Sequence, residues 1–304
     1  MKTVIGYKQG RFPFYLQPVI ITRPEDANQL LFSPLSSQNL VKFIITAEKP
    51  VAVLVKGCDL RSLVDLLQEN QIDRSDVYII GVTCHGIIKE QALENDERFP
   101  LSDIKQVKEE NGKIRVITFM DTYDMPDEAL MDKCRSCTVH VPYIYDHLIG
   151  EGTPETPPKP PEYPGIDEIE KMSPVEKRKF WLDMFSRCIR CNACRQVCPL
   201  CYCNECIMDE NMPRWVTGEV SPVENLFSQL VRIYHSAGRC TSCGECERAC
   251  PVGIPLSLLY NKVAKDVNEL FGYNPGIDPE VPPAMLTFKL DDPEVESCLG
   301  GNYR

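Results

Sequence analysis

Two short runs in the C-terminal half of the chain carry cysteines at the same spacing. Each run reads C-x2-C-x2-C-x3-C-P: Cys188, Cys191, Cys194, Cys198 with Pro199, and Cys240, Cys243, Cys246, Cys250 with Pro251. This spacing is typical of proteins that hold a pair of [4Fe–4S] clusters, in which three thiolates of a run bind one cluster and the fourth binds the other. The spacing therefore predicts two clusters, one held by Cys188, Cys191, Cys194 and Cys250 and the other held by Cys240, Cys243, Cys246 and Cys198.

Zinc is the main chemical alternative for so many thiols. Structural zinc sites usually show two C-x2-C pairs, whereas here four cysteines are followed by proline, and the pattern occurs twice. Disulfides are disfavoured because the N-terminus shows neither an apolar signal core nor a cleavage site, so a reducing compartment is expected. Iron–sulfur ligation fits both the spacing and the expected compartment.

The composition limits the classes of protein that remain. A chain of 304 residues with 43% apolar residues is expected to form two domains with proper cores. Its formal net charge of −11 disfavours binding to nucleic acid or to anionic membranes and favours the basic faces of redox partners. No apolar run approaches the ~20 residues that are needed to span a bilayer. We therefore expect a cytoplasmic protein without membrane insertion.

Residues 1–150 are expected to form an α/β domain with a parallel sheet. The strands predicted from short apolar runs are residues 50–55, 76–82 and 114–120. Asp59 is expected to cap a helix that runs through Leu67, between the first two strands. A strand, a helix and a strand at this separation predict a right-handed crossover and a parallel pair of strands.

Four cysteines of this domain are expected at one edge of the sheet. Cys58 and Cys84 come just past the carboxyl ends of neighbouring strands, which is where open α/β sheets bind ligands. Cys134 and Cys137 form a C-x2-C pair after the third predicted strand and can return to the same edge. These four thiols make a candidate third [4Fe–4S] cluster. The alternative is that Cys58 and Cys84 are buried core thiols, because free cysteine is among the most buried residue types.

Three short motifs in this region resemble a known family. They are Lys56-Gly57-Cys58-Asp59, the segment Gly81-Val82-Thr83-Cys84-His85-Gly86, and Lys133-Cys134-Arg135-Ser136-Cys137. Together they resemble the β-subunit family of coenzyme F420-reducing hydrogenases and formate dehydrogenases, over roughly residues 45–150. The resemblance implies that the matching cysteines bind a [4Fe–4S] cluster beside a flavin, with FAD as the candidate, and it implies F420 as a reaction partner. A flavin-binding motif is not matched residue by residue.

The remaining chain divides into a linker, a second domain and a tail. Residues 151–170 form a linker that begins with a proline-rich stretch, 171–275 form the dicluster domain, and 276–304 form an extended tail rich in proline and acidic residues. Ser173 and Ser221 each begin a capping box followed by an amphipathic helix, and a third helix is expected after the second run. This pattern predicts an all-helical dicluster ferredoxin domain. It resembles the helical ferredoxin domains of fumarate reductase and heterodisulfide reductase iron–sulfur subunits.

Four further cysteines exceed the needs of these clusters. They are Cys201, Cys203 and Cys206, which follow the first run, and Cys298 in the tail. Three interpretations stay open. They are inert buried thiols, or they bind a fourth metal centre with Cys298 or an N-terminal cysteine, or they replace members of the proposed third set.

The sequence contains no motif for a dedicated substrate site. A Ser–His–Asp or Cys–His nucleophile arrangement, a P-loop and a G-x-G-x-x-G fingerprint are all missing. We therefore predict an iron–sulfur electron-transfer subunit of a cytosolic multi-subunit complex of anaerobic metabolism, with three clusters, or four if the extra thiols bind metal. It would connect a catalytic subunit of formate dehydrogenase, hydrogenase or aldehyde oxidoreductase type to a flavin-containing or heterodisulfide-reductase-type partner. The alternatives are a flavin-dependent oxidoreductase that reduces F420 or a nicotinamide, and a zinc-binding assembly scaffold.

Overall fold

The computed structural model describes residues 1–110, 112–155, 158–159 and 161–288. The strands are β1 (Thr3–Gln9), β2 (Leu16–Ile21), β3 (Val51–Val55), β4 (Val77–Val82), β5 (Ile104–Glu110), β6 (Lys113–Thr118), β7 (Thr122–Asp124) and β8 (His147–Ile149). The α-helices are α1 (Gly57–Gln68), α2 (Glu90–Glu94), α3 (Asp132–Arg135), α4 (Ile166–Lys171), α5 (Pro174–Ser186), α6 (Ala193–Gln196), α7 (Pro222–His235), α8 (Glu245–Arg248) and α9 (Leu256–Phe271). Short 3-10 helices cover Pro24–Gln29, Leu40–Phe43, Arg74–Asp76, Leu101–Asp103, Asp127–Ala129 and Ala284–Leu286.

The N-terminal part is built on a five-stranded mixed sheet in the order β2-β1-β3-β4-β8. β3 pairs in parallel with both β1 and β4, and β4 pairs in parallel with β8, while β1 and β2 are antiparallel. The predicted parallel pair is therefore confirmed, whereas a wholly parallel sheet is wrong. β3 is apolar along its length and covered on both faces of the sheet, because Val51, Val53 and Val55 have no exposed surface on one face and Ala52 is 3% exposed on the other.

Two details of the predicted N-terminal domain are wrong. The helix after β3 begins at Gly57 and not at Asp59, because Asp59 is the third helical residue and accepts a hydrogen bond from the backbone N–H of Lys56 at 3.3 Å. The third predicted strand forms β6, which belongs to a separate antiparallel sheet with β5 and β7. Buried and more exposed residues alternate along β6, as expected for a strand with one covered face.

The regular elements described between residues 161 and 288 are helices. α5 begins with a capping box in which Ser173 accepts from the Glu176 N–H and the Glu176 carboxylate accepts from the Ser173 N–H. Ser221 caps α7 by accepting from the Glu224 N–H, but the capping box predicted there is incomplete, because the Glu224 carboxylate accepts from the Thr217 hydroxyl at 2.6 Å instead. Phe185 is fully buried in the core of this part, and cysteines of both runs pack against that core. No helix among the described residues is long and apolar enough to cross a membrane.

The C-terminal residues pack on the N-terminal part through helix α1. Ser62 hydrogen-bonds Thr241 at 2.9 Å, and Arg61 donates to the carbonyl of Pro275 at 3.0 Å. Gln68, at the end of α1, donates to the carbonyl of Asp278 at 2.9 Å. The beginning of the predicted tail therefore lies along the chain's own N-terminal part. The remainder of the tail, with Cys298, lies outside the described residues.

Candidate iron–sulfur centres

Two cavities in the helical part are lined by the cysteines of the two runs. The cavity that we call central is lined by Cys198, Cys240, Cys243 and Cys246, and the cavity that we call outer is lined by Cys188, Cys191, Cys194 and Cys250. Their empty volumes, open mouths included, are about 470 and 410 Å³. Each cavity thus gathers three cysteines of one run and the fourth cysteine of the other. This is the grouping that the spacing predicts, while the role of these thiols as iron ligands stays a prediction.

The backbone of the two runs repeats one unusual conformation. Arg190 and Asn192 have φ values of 56° and 59° in the first run, and Ser242 and Gly244 have 56° and 71° at the matching places in the second. Left-handed residues that alternate with right-handed ones turn successive N–H groups toward one side and form a concavity that suits an anion. In the first run, the N–H of Arg190 points at the sulfur of Cys188 at 3.5 Å. Both runs are therefore shaped locally to surround a negatively charged group.

Helix α7 presents a buried polar stripe to both cavities. The stripe consists of the buried residues Asn225, Ser228, Gln229 and Arg232 of α7 and Ser236 directly after the helix. Ser228 and Gln229 line the outer cavity, whereas Arg232 and Ser236 line the central one. Arg232 is 5% exposed, and its Nη2 donates to the carbonyl of Cys194 at 2.8 Å. A polar stripe in this buried position indicates a polar occupant, because burying such groups against apolar atoms alone is costly.

Donors without partners around the central cavity test whether a cluster fits there. Within the described part of the chain, Nε and Nη1 of Arg232 and the hydroxyls of Ser242 and Tyr260 are buried without a hydrogen-bond partner. All three residues line the central cavity. A buried donor without a partner costs about 1–3 kcal/mol. A [4Fe–4S] cluster held by four thiolates is anionic, and its sulfurs accept hydrogen bonds. The residues present therefore fit such a cluster.

The thiols themselves are in a low-dielectric setting. Burial raises the pKa of Cys240 to about 11, with the neighbouring Cys243 adding to the shift and the Ser242 N–H opposing it. Metal binding at this place must therefore displace a proton from the thiol. Among the residues that the structure describes, no three His, Cys, Asp or Glu side chains are arranged closely enough to hold a single metal ion.

The four N-terminal cysteines also come together, at the carboxyl edge of the mixed sheet. Cys58 lies in the first turn of α1, Cys84 follows β4, and Cys134 and Cys137 lie on α3 and just after it. The main cause of the raised pKa of Cys84, about 12, is burial; Lys56 opposes the shift, and the nearby thiols of Cys134 and Cys137 add to it. The sheet therefore collects thiols from three separate loops.

Gly57 allows two of these loops to meet. A Cβ atom at residue 57 would lie 1.9 Å from the carbonyl oxygen of Val139, so the segment after Cys137 can cross the start of α1 only over a glycine. Cys58 follows directly. Its pKa is raised mainly by burial, then by the charge of Asp59, and Cys137 adds to the rise, so Cys58 and Cys137 share their surroundings. Packing against Val139 therefore requires the glycine of the Lys-Gly-Cys-Asp motif.

A buried ion pair fixes the start of α1 beneath this group. Lys56 Nζ lies 2.7 Å from Asp59 Oδ2 and donates to the Tyr7 hydroxyl at 2.6 Å, and each of the three side chains is at most 1% exposed. Burial lowers the pKa of Lys56, but attraction to Asp59 and Tyr7 outweighs it and the net shift is upward. The sequence analysis missed this role of Lys56, although Lys56 and Asp59 flank Cys58 in the motif.

Lys133 connects the N-terminal group to the central cavity, which the sequence analysis also missed. It precedes Cys134 on α3, and its Nζ donates to the backbone carbonyl of Cys243 at 2.6 Å. The Lys133 side chain is 11% exposed. Lys133, a mostly buried cation, thus links the helix that carries Cys134 to the loop that carries Cys243.

The extra cysteines after the first run have different neighbours. Cys201 lies beside Cys198 and Arg232, which lower its pKa to about 5 against the effect of burial, whereas Cys206 lies near the Arg195 guanidinium. Cys203 is exposed. Within the described residues these three do not gather at a common site, and a fourth metal centre stays a prediction.

His85 faces Glu109 at 2.7 Å, while His140 lies against the carbonyl of Cys84 at 3.1 Å.

Three features together define an iron–sulfur protein. Cysteines of both runs line each cavity, the backbone of each run forms a concavity that suits an anion, and buried donors without partners line the central cavity. Residues 184–254 match the 4Fe-4S dicluster domain family, so a dicluster domain is present in the chain. The resemblance to the β-subunit family is confirmed as well, because the relatives described next carry that name.

One relative is the F420-dependent formate dehydrogenase subunit beta of Methanocaldococcus jannaschii, which is 27% identical over 92% of this chain and 88% of its own length. Another is the F420-dependent formate dehydrogenase 1 subunit beta of Methanococcus maripaludis, 29% identical over 93% of this chain and 88% of its own. A chain in the xenon-derivatized F420-reducing [NiFe] hydrogenase complex of Methanosarcina barkeri covers 45% of this chain and 53% of that chain. Its TM-score of 0.37 at 18% identity is too low to establish a common fold.

Proposed function

We propose that this chain is an electron-transfer subunit of a formate dehydrogenase- or hydrogenase-type complex and that it holds three [4Fe–4S] clusters in a row. The order is the N-terminal group, the central cavity and the outer cavity. The observation that carries the proposal is the sharing of cysteines between the two cavities, in which each takes its fourth cysteine from the other run. Lys133, which touches both the N-terminal group and the central cavity, supports the order.

The residues of the chain have distinct tasks in this proposal. Four thiolates hold each cluster, and a bound cluster supplies one-electron transfer. Arg232, Ser242 and Tyr260 donate hydrogen bonds toward the central cavity, which stabilises negative charge there and sets the reduction potential. The apolar core that contains Phe185 keeps water away from the thiols of the two runs that pack against it. We further propose that residues 171–275 form an all-helical ferredoxin domain, joined by the linker 151–170 to the domain 1–150.

The outer cavity is the proposed contact point for a partner. Cys191 is exposed, whereas the other thiols of the two runs are partly buried. Electron transfer falls steeply with distance, so a partner must approach where a cluster lies closest to the surface. The relatives are named as subunits of formate dehydrogenases. A catalytic subunit of that type is the favoured donor, and a flavin-containing or heterodisulfide-reductase-type protein is the proposed acceptor.

Iron and acid-labile sulfide per chain, measured on protein purified without oxygen, test this proposal. Three clusters predict about 12 iron atoms and about 12 sulfides per chain. About eight of each would remove the N-terminal cluster and leave the dicluster domain. Zinc without sulfide would instead establish the zinc-binding scaffold and overturn the electron-transfer function.

A flavin-dependent oxidoreductase is the second candidate, because both relatives are named as F420-dependent. In that case the N-terminal part would bind FAD and reduce F420 or a nicotinamide. Acid release of a flavin from the same preparation, together with F420 reduction by the isolated chain, would favour this function. Flavin-free protein that still takes up and releases electrons would exclude it.

A further inference from the structure

One side chain contacts both of the cysteine groups that the proposed function places next to each other. Lys133 lies on α3 beside Cys134, and its ammonium group donates to the carbonyl of Cys243 across 110 residues of sequence. Its aliphatic part passes over Gly244, where a Cβ atom would lie 3.1 Å from Lys133 Cδ. The lack of a side chain at residue 244 therefore makes room for Lys133 against the loop that carries Cys243 and Cys246.

The charges around Lys133 leave an excess of positive charge. Glu245 Oε1 lies 4.0 Å from Lys133 Nζ, and Glu245 is also held by Arg248 at 2.9 Å. Lys133 and Glu245 are 11% and 3% exposed, and Arg248 is 22% exposed. Two cations and one anion give these three side chains a formal charge of +1, while Glu90, an exposed side chain, offsets part of the Arg248 charge. Such a charge is weakly screened by solvent, because little of it reaches the surface.

The other charged pair near the N-terminal thiols adds no such excess. Lys56 and Asp59 neutralise each other at 2.7 Å and are both buried. Arg232 is the second cation of the central cavity and lies on its α7 side. Lys133 is therefore a cation that the N-terminal group and the central cavity have in common. Arg61 of α1, which is 6% exposed, is a second one, because its charge opposes the rise in the pKa that burial causes at Cys137 and at Cys240.

We propose that Lys133 is a shared positioning charge that raises the reduction potentials of the N-terminal and central clusters together. This inference rests on the proposed function, since it needs clusters in both places. Reduction adds one electron and makes a cluster one unit more negative, so a nearby fixed positive charge stabilises the reduced form. Because Lys133 contacts both groups, it lowers the energy of an electron on either cluster and raises both reduction potentials together. The outer cluster receives no such contribution from Lys133.

The test is a redox titration of the full chain, purified without oxygen, with dithionite as reductant and electron paramagnetic resonance as readout. Cys58→Ser and Cys188→Ser assign the N-terminal and outer signals. Lys133→Gln is expected to make reduction of the N-terminal and central clusters about tenfold less favourable, which is about 59 mV for a one-electron couple. Lys133→Arg is expected to restore both potentials, because it keeps the charge.

Arg135→Gln is the matched control. It removes a positive charge two residues further along α3, next to Cys134, but the Arg135 side chain is 48% exposed and pairs with Asp132. Solvent screens such a charge, so its loss is expected to change each potential less than twofold in equilibrium constant. An equal shift in Arg135→Gln and Lys133→Gln would overturn the proposal.

A second variant keeps the test decisive if Lys133→Gln loses iron. Glu245→Gln removes the anion that faces Lys133 and is expected to shift the central potential in the opposite direction, upward. A downward shift or no shift in Glu245→Gln overturns the proposal, as does an equal effect of Lys133→Gln on all three clusters. Wild-type protein without iron and sulfide would instead overturn the proposed function itself, so the two failures are distinguishable.

Discussion

Three of the four cysteines that line each dicluster cavity come from a single short run, whereas the four N-terminal cysteines come from three loops at one sheet edge. In the runs, left-handed residues such as Arg190 and Ser242 turn the backbone around the cavity within a few residues. In the N-terminal group, β3, β4 and the buried Lys56–Asp59 pair hold the loops in place. The comparison teaches that one site depends on local chain geometry and the other on the stability of a whole sheet.

The largest expected effect is the loss of one cluster from the dicluster domain. Cys246→Ser removes a thiol of the central cavity, and we expect the loss of about four iron atoms per chain. Iron analysis on anaerobic protein gives the result. The control is Cys203→Ser, which alters an exposed thiol outside both cavities and is expected to keep all iron. Unchanged iron in Cys246→Ser would remove this ligand assignment.

The next largest effect separates the two kinds of site. Asp59→Asn leaves the Lys56 ammonium buried without its anion and is expected to cost about 3–5 kcal/mol of unfolding free energy. We expect the N-terminal cluster to be lost while the dicluster iron stays. Denaturant unfolding, with iron counted in parallel, measures both. Asp76→Asn is the control, because its pair with Lys49 is 3.8 Å long and partly exposed. Loss of all iron would show that the two parts fold as one unit.

A smaller effect is expected at the contact between the two parts. Arg239 Nε lies 2.5 Å from Glu69 Oε1, the two side chains are 17% and 13% exposed, and the guanidinium also lies over the Tyr202 ring. Arg239→Gln is expected to cost about 1–3 kcal/mol, because a charge-assisted hydrogen bond of a mostly buried carboxylate is removed. Denaturation midpoints give the value. The exposed pair of Lys113 and Asp124 supplies the control, Lys113→Gln, with a cost of about 0–1 kcal/mol.

The smallest expected effect concerns the glycine under Lys133. Gly244→Ala places a Cβ on a residue with φ of 71° and against Lys133, and it is expected to cost about 1–2 kcal/mol. Gly112→Ala is matched in backbone, with φ of 73°, but meets no atom within 4 Å. The difference between the two costs measures the contact between Lys133 and the second run. Equal stability costs of Gly244→Ala and Gly112→Ala, together with unchanged cluster potentials, would show that the Lys133 side chain can move away from residue 244 without a loss of stability.

Much of the molecule could be predicted from short segments of sequence. The apolar run at β3, the parallel pair with β4, the capping box at Ser173 and the N-cap at Ser221 all follow from local patterns. The grouping of cysteines into two cavities matches the spacing of the runs. The predicted start of the first helix at Asp59 was wrong because Asp59 caps from inside the helix. The placement of β6 in a second sheet could not be read from its apolar run, because strands of both sheets share that pattern.

The amino-acid sequence by itself determined the two cysteine runs and the sharing of their fourth cysteines, because the spacing of cysteines over a few residues limits which thiols can reach one site. The positions of Cys58, Cys84, Cys134 and Cys137 relative to the predicted strands also indicated one shared sheet edge, but only the tertiary structure decided that Lys133 reaches Cys243. It also decided that α7 turns Arg232 toward a cavity lined by both runs. Contacts between residues a hundred positions apart depend on how sheets and helices pack, and no local pattern in the sequence encodes that packing.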